Sequence, residues 1–144
     1  MTQVAFHFGA PDKLAYTLRL LRKAVASGAR VLVVADAALL QQLDVALWAS
    51  AATDFRPHCV ARVAPEVLSR SPIVLAEPGL ELVVPTFSVL VNLSATMPRA
   101  IECYQRVIEV VSNDEDDRVQ ARQRWKWYTE HGYAIERHDL QLRS

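Results

Sequence analysis

The sequence predicts one three-layer α/β domain with a mostly parallel central sheet. Two features support this fold class: strand-like apolar runs alternate with helix patterns, and the run VLVVA within Arg30–Ala35 carries no polar residue. An uninterrupted apolar run is typical of a strand that is buried on both faces of a parallel sheet. With 144 residues, the chain is long enough for one domain with a real core and too short for two ordinary ones.

The first strand and helix lie at the start of the chain. Val4–Phe8 is a short apolar run, and Pro11 and Asp12 then open a helix that Gly28 closes. The apolar stripe of this helix consists of Leu14, Leu18, Leu21 and Val25. The turn between strand and helix reads HFGAPDKL, with one glycine, whereas phosphate-binding loops need several glycines or a Gly-Lys-Ser/Thr sequence. The sequence therefore predicts no nucleotide-binding loop.

The second helix follows the VLVVA strand directly. Asp36 comes immediately after that strand, and its side chain can cap a helix that reaches Trp48. The next stretch, Ala49–Ser71, is predicted to be irregular and contains two prolines. Ile73–Ala76 has the apolar character of a further strand, and the Glu-Pro-Gly sequence after it predicts a turn.

Three more strands and one short helix are predicted in the second half of the chain. Val89–Leu93 and Arg106–Val111 are expected to be buried strands, and a short helix around Ala100–Cys103 begins after Pro98. Tyr133–Arg137 is expected to form a final strand at the edge of the sheet. The sequence contains no internal repeat and no low-complexity tail, so we expect a single domain over residues 1–144.

The last helix, predicted over Ser112–Gly132, is the most strongly specified element. Ser112 and Glu115 have the spacing of a capping box. Four acidic residues crowd the first turn, where the helix dipole favours negative charge, and Gly132 supplies a C-terminal stop. At about 100° per residue, the buried stripe of this helix consists of Ala121, Trp125, Tyr128 and Gly132.

Three cations lie beside that stripe, on the side of Trp125: Arg118, Arg122 and Lys126. An aromatic side chain at the rim of the core, with cations around it, can bind a ligand that has both an apolar and an anionic group. The same pattern also fits a solvated helix face whose arginine stems cover apolar surface. The residues alone leave both interpretations open.

Composition and motifs argue against several other functions. The 16 basic residues equal the 16 acidic ones, so the chain lacks the positive field of a protein that binds DNA by charge alone. No signal peptide, membrane span, GxSxG motif or metal-ligand spacing is evident, and we expect neither a cofactor nor a metal. Cys59 and Cys103 are predicted to be reduced core thiols of a cytoplasmic protein.

Three short motifs and their order resemble a known family. They are DVALW over Asp44–Trp48, FRPH over Phe55–His58, and RQRWKWY over Arg122–Tyr128, which Gly132 and Tyr133 follow. Together with the length of the chain and the order of its strands and helices, these motifs resemble the chi subunit of bacterial DNA polymerase III over essentially the whole chain.

The resemblance implies a Rossmann-like fold without a nucleotide site, in a non-catalytic subunit of the clamp-loader complex. Such a subunit binds the psi subunit on one surface. On another surface it binds the acidic tail of single-stranded DNA-binding protein, which ends in phenylalanine, so its contact with nucleic acid is indirect and no membrane is involved. The family's tail-binding positions correspond here to Arg118, Arg122, Trp125 and Lys126, with Trp48, Phe55 and Val111 near the pocket.

Two other functions stay open beside this one. An enzyme with an atypical cofactor loop, such as a transferase, would fit the α/β fold. A direct binder of single-stranded DNA would use the same cations, with Trp125 and Trp127 as stacking platforms. For the psi partner, the sequence predicts a separate apolar surface at the short helix, formed by Met97, Ile101 and Tyr104. The same spacing also fits three side chains that simply cover the sheet, and the sequence leaves both interpretations open.

Overall fold

The computed structural model describes residues 2–50, 58–60, 73–77, 88–94, 96–98 and 101–139, and the side chains of all of these except 48–50 and 58–60. The strands are β1 (Gln3–Ala10), β2 (Val31–Val34), β3 (His58–Val60), β4 (Ile73–Ala76), β5 (Val89–Asn92), β6 (Arg106–Ser112) and β7 (Ile135–Asp139). The helices of the described residues are α1 (Lys13–Ala26), α2 (Ala37–Ser50), α3 (Glu115–Glu130) and a single 3₁₀ turn at Ile101–Cys103.

The seven strands form one sheet in the order β3-β4-β2-β5-β6-β1-β7, and every neighbouring pair is parallel. This arrangement confirms the predicted α/β class and the parallel sheet. The predicted strands all form, and the last of them is at the edge of the sheet, where it pairs with β1. The prediction for Ala49–Ser71 was wrong in one respect, because it contains the short edge strand β3.

Helices cover both faces of the sheet, and each face has its own core. Successive residues of β2 show the division, since alternate side chains of a strand point to opposite faces. Val31 and Val33 pack in a cluster with residues of α1 and α2, whereas Leu32 and Val34 pack in a second cluster with residues of α3. The domain therefore has the predicted three layers, with α1 and α2 on one side of the sheet and α3 and the 3₁₀ turn on the other.

The first two helices begin where the sequence predicts. The carboxylate of Asp12 accepts a hydrogen bond from the backbone N–H of Ala15 at 3.1 Å. The carboxylate of Asp36 accepts one from the N–H of Leu39 at 3.0 Å. Each bond satisfies a donor that would otherwise have no partner in the first turn of its helix. The predicted cap at Asp36 is confirmed, and α1 begins after Asp12 as predicted.

Helix α3 begins two residues later than the predicted capping box requires. Its N-cap is Asp114, whose side chain accepts from the N–H of Asp116. Ser112 is instead the last residue of β6, where it pairs with Ala10 of β1. Pairing in the sheet takes precedence over capping at Ser112, so the capping-box prediction was wrong. The predicted stop at Gly132 is confirmed by its φ of +82°, a left-handed conformation that favours glycine.

One cysteine differs from expectation. Cys103 ends the 3₁₀ turn with its thiol exposed, so the prediction of a core thiol was wrong there, while the side chain of Cys59 lies outside those described. Among the described residues, no helix is long and apolar enough to cross a membrane.

Candidate functional site

A groove of about 350 Å³ lies between α3 and the carboxyl-terminal ends of β1 and β7, and we call it the α3 groove. In open α/β sheets, ligands bind beyond the carboxyl ends of the strands, so this is a place in the fold where a ligand site is expected. The lining residues are Phe8, Gly9, Asn113, Arg118, Arg122, Trp125, Arg137 and Asp139.

Gly9 contributes to the groove through the backbone of β1. The register between β1 and β6 shifts between His7 and Ala10, and Gly9 has a φ of +78° in that stretch. A left-handed residue within a strand favours glycine and marks a local irregularity. The one glycine of the first strand-to-helix turn therefore bends the end of β1.

The apolar part of the groove is an aromatic floor formed by Phe6, Phe8 and Trp125. The ring centroids of Phe6 and Trp125 are 5.1 Å apart, and those of Phe8 and Trp125 are 5.9 Å apart. Phe6 is fully buried, while Phe8 and Trp125 are half-buried. Val111 is fully buried in the same cluster and supports this floor from the core. An apolar ring that enters the groove thus meets two partly exposed aromatic side chains.

The cationic part of the groove comes from α3. The guanidinium groups of Arg118 and Arg122 are exposed, and within the described residues neither has an ion pair or a side-chain hydrogen bond. Lys126 does not line the groove; its side chain is 78% exposed, and its Nζ lies 3.9 Å from an oxygen of Glu130. The structure thus brings Arg118, Arg122 and Trp125 together and leaves Lys126 outside.

For two further residues expected near the pocket, the side chains lie outside those described. Phe55 lies outside the described residues. Trp48 belongs to α2, which packs on the opposite face of the sheet against β3 and β4, whereas the α3 groove lies beside β1 and β7. The side chain of Trp48 itself lies outside those described.

A buried polar network holds α3 against the sheet. Glu109 of β6 is fully buried, and one of its carboxylate oxygens accepts a hydrogen bond from Nε of Arg124 at 3.0 Å. Its other oxygen accepts from the hydroxyl of Tyr128 at 2.8 Å. The side-chain amide of Asn92 donates to the same carboxylate at 3.0 and 3.2 Å. A buried charge costs free energy unless it is paired and hydrogen-bonded, and here it is both.

The titration behaviour of this network reflects its burial. Burial raises the pKa of Glu109, and the charge of Arg124 and the hydrogen bonds from Tyr128 and Asn92 oppose that shift only in part. Burial and the neighbouring carboxylate also raise the pKa of Tyr128. No ligand can reach this carboxylate, so we assign the network to positioning α3.

The first turn of α3 has its own anchor. The carboxylate of Asp117 accepts from the backbone N–H of Ser112 at 2.9 Å and from Nζ of Lys13 at 3.0 Å. Burial alone would raise the pKa of Asp117, but the bond from Ser112 and the charge of Lys13 hold it below its ordinary value. This pair ties the start of α3, and with it Arg118, to α1 on the other side of the sheet.

The residues predicted to form a second apolar surface are mostly in the core. Ile101 and Tyr104 are each only 2% exposed, and Met97 is half-buried against the same cluster. The hydroxyl of Thr2 donates to the carbonyl oxygen of Tyr104 at 2.7 Å and fixes the 3₁₀ turn on the sheet. The turn lies close to the sheet, so the side chains of Ile101 and Tyr104 are buried in the core cluster. The prediction of an accessible docking surface at Ile101 and Tyr104 was therefore wrong.

The structure also shows site residues that the sequence did not indicate. Arg137 and Asp139 form the wall of the α3 groove opposite the helix, and Phe8 forms part of its floor. They lie on β1 and β7, which pair in the sheet although they are far apart in the sequence. In the described part of the chain, no three His, Cys, Asp or Glu side chains are grouped so that they could hold a metal ion.

The fold and the groove can be compared with known proteins. A family model described as DNA polymerase III chi subunit, HolC, matches residues 1–136 of the chain. The chain is also similar to a protein named DNA polymerase III subunit chi from Pseudomonas aeruginosa. The two are 31% identical over 148 residues, which cover 97% of this chain and 98% of the relative. The chain therefore belongs to the DNA polymerase III chi subunit family.

Proposed function

We propose that this protein is a non-catalytic accessory subunit of the polymerase III clamp loader that binds the acidic, phenylalanine-terminated tail of single-stranded DNA-binding protein. Membership of the chi family supports the first part of this proposal. The observation that carries the second part is the aromatic floor of the α3 groove beside the two guanidinium groups of Arg118 and Arg122. The tail contains the two chemical groups that such a groove can bind.

The groove and the tail are chemically complementary. A terminal phenylalanine ring can pack on Phe8 and Trp125, where offset or tilted aromatic contacts are favourable. The terminal carboxylate and the aspartate side chains can bind guanidinium groups in bidentate fashion, which a lysine cannot match. The use of arginine at both cationic positions that α3 contributes to the groove suits this kind of ligand.

The expected affinity follows from the size of these contributions. Exposed ion pairs contribute only about 0–1 kcal/mol each, so burial of the phenylalanine ring should dominate. A disordered tail also loses conformational entropy when it binds. We therefore expect a dissociation constant in the micromolar range, or roughly −8 kcal/mol. Several tails on one oligomer would raise the effective affinity without any new contact.

Calorimetric titration tests the proposal directly. The protein is titrated with an aspartate-rich peptide that ends in phenylalanine and with the same peptide that ends in alanine. We expect micromolar binding of the first and at least a tenfold loss with the second, because the ring is the main buried group. Equal binding of both peptides, or of neither, would contradict the proposal.

The bridging role requires a second partner, which we propose to be the psi subunit. An adaptor must hold both partners at once, so the psi surface must leave the α3 groove free. Titration of the peptide into a preformed complex with psi should give the same dissociation constant as titration into the chain alone. Competition between the peptide and psi would show that the two surfaces overlap and would contradict bridging.

A further inference from the structure

The wall of the α3 groove opposite the helix is built by β7. Arg137 and Asp139 are two residues apart on that strand, so they lie on the same face of the sheet. In the register between β1 and β7, Arg137 is opposite Phe6, and Asp139 is opposite Phe8. The two charged residues therefore stand directly beside the aromatic floor.

Arg137 is placed over this floor but is held weakly. Its guanidinium carbon lies 4.9 Å from the centroid of the Phe8 ring, and its Nη2 lies 4.0 Å from an oxygen of Asp139. Its side chain is 63% exposed. An ion pair at this distance and exposure contributes little, and an exposed cation–π contact is similarly weak. The guanidinium can therefore exchange one anionic partner for another at small cost.

Asp139 is the one acidic residue among the described residues that line the α3 groove. Its side chain is 30% exposed, and it faces a space that the proposed function assigns to a polyanionic peptide. A fixed carboxylate there repels the ligand and also occupies a guanidinium that the ligand could use. Arg137 and Asp139 thus have opposite expected effects on the same binding event.

We propose that Arg137 is a tail-binding residue which takes a tail carboxylate in place of Asp139, and that Asp139 lowers the affinity by competing for it. This inference rests on the proposed function. An aromatic ring that settles on Phe8 and Trp125 brings its own carboxylates into the space beside the Arg137 guanidinium. The groove then holds the tail from two sides, with Arg118 and Arg122 on α3 and Arg137 on β7.

The test is a double-mutant cycle measured by calorimetry with the phenylalanine-terminated peptide. We expect Arg137→Gln to weaken binding about fivefold and Asp139→Asn to strengthen it about twofold to threefold. In the Arg137→Gln background, the binding free energy gained from Asp139→Asn should fall to less than half, because Asp139 then has no guanidinium to compete for. Thermal melting of each variant checks that the fold is retained, since β7 is an edge strand.

The outcomes separate this inference from the proposed function. Failure of the unaltered chain to bind the peptide would overturn the proposed function, and this inference with it. Normal binding that Arg137→Gln leaves unchanged, or an equal gain from Asp139→Asn in both backgrounds, would overturn only the role of β7. Repeating the cycle with a C-terminally amidated peptide identifies the carboxylate: loss of the Arg137→Gln effect indicates the terminal one, and its persistence an aspartate.

Discussion

Arg122 and Arg124 are two residues apart on α3, and their surroundings are opposite. Arg124 is 3% exposed and donates to the buried carboxylate of Glu109, whereas Arg122 is exposed at the groove without an ion-pair partner among the described residues. Residues that are two positions apart on a helix point about 200° apart around its axis, so these two arginines face different environments. Arg124 fixes α3 against the sheet. Because the helix is held in this way, Arg122 stays at the groove, where a ligand can reach it.

The same division applies to the carboxylates. Glu109 and Asp117 are both paired with cations inside the fold, and they hold the second half and the first turn of α3, respectively. The cations that line the α3 groove are not held by such partners from the core. Substitutions of Glu109 and Asp117 should therefore change the stability of the protein. Substitutions of the cations that line the α3 groove should change only peptide binding.

The largest effect is expected from breaking the buried pair. Glu109→Leu leaves the guanidinium of Arg124 buried without its carboxylate, and we expect the free energy of unfolding to fall by about 3–5 kcal/mol. The double variant Glu109→Leu, Arg124→Met should recover much of this loss, because no charge then remains buried. Urea denaturation of the three proteins measures both changes. A single-variant loss below about 1 kcal/mol would mean that the network does not anchor α3.

A smaller loss of stability is expected from Asp117→Asn, and it should depend on pH. The pKa of Asp117 is lowered in the folded state, so its contribution is fully present above the ordinary carboxyl pKa and is lost as the pH falls through the folded value. We expect the substitution to cost about 1–3 kcal/mol at pH 7 and progressively less below about pH 4. The exposed neighbour provides the control, since Asp116→Asn should cost less than about 0.5 kcal/mol. Denaturation curves of both proteins at several pH values measure this difference. A loss of stability that is the same at every pH would contradict the linkage.

For peptide binding, the structure separates two residues, Arg122 and Lys126, that the sequence grouped together. The sequence predicts weaker peptide binding for both Arg122→Ala and Lys126→Ala. Because Lys126 is outside the groove, we now expect about a threefold to fivefold loss for Arg122→Ala and less than about a twofold loss for Lys126→Ala. Neither should change the melting temperature. Lys23→Ala, which removes a cation from α1 on the other face of the sheet, is the matched control for charge.

The strands could be predicted because their signal is local. Runs such as VLVV and IVLA have no polar residue, and burial on both faces of the sheet requires that composition. The strand β3 lacked that signal, since His58, Cys59 and Val60 are too few to form a pattern. The start of α3 was misplaced because Ser112 suits both a cap and a strand end, and only the pairing with Ala10 decides between them.

The candidate site could be predicted only in the part that lies on one helix. Arg118, Arg122 and Trp125 fall at helical spacing, so the sequence could group them. Arg124 falls at the same spacing between Ala121 and Tyr128, but it is not part of the predicted stripe, because charged side chains are rarely buried. The signal that it is buried was Glu109, an acidic residue inside an apolar strand on the same face as α3. The wall that β7 forms could not be predicted, because it depends on the pairing of β1 with β7, and no local sequence pattern indicates that pairing.

The smallest expected effect is that of salt, which should act on the α3 groove and not on the buried pair of Glu109 and Arg124. Exposed charges are screened over a Debye length of about 8 Å at physiological ionic strength and about 3 Å at 1 M, whereas buried pairs are screened much less. Raising the salt from about 0.05 to 0.5 M should therefore weaken peptide binding severalfold without abolishing it, because burial of the phenylalanine ring is not screened. The loss of stability caused by Glu109→Leu should be the same at both salt concentrations, since the pair it breaks is buried. Peptide titrations and urea denaturation at the two concentrations give both quantities. Salt-independent binding would mean that the groove arginines do not contact the ligand, and a salt-dependent effect of Glu109→Leu would mean that solvent reaches the buried pair.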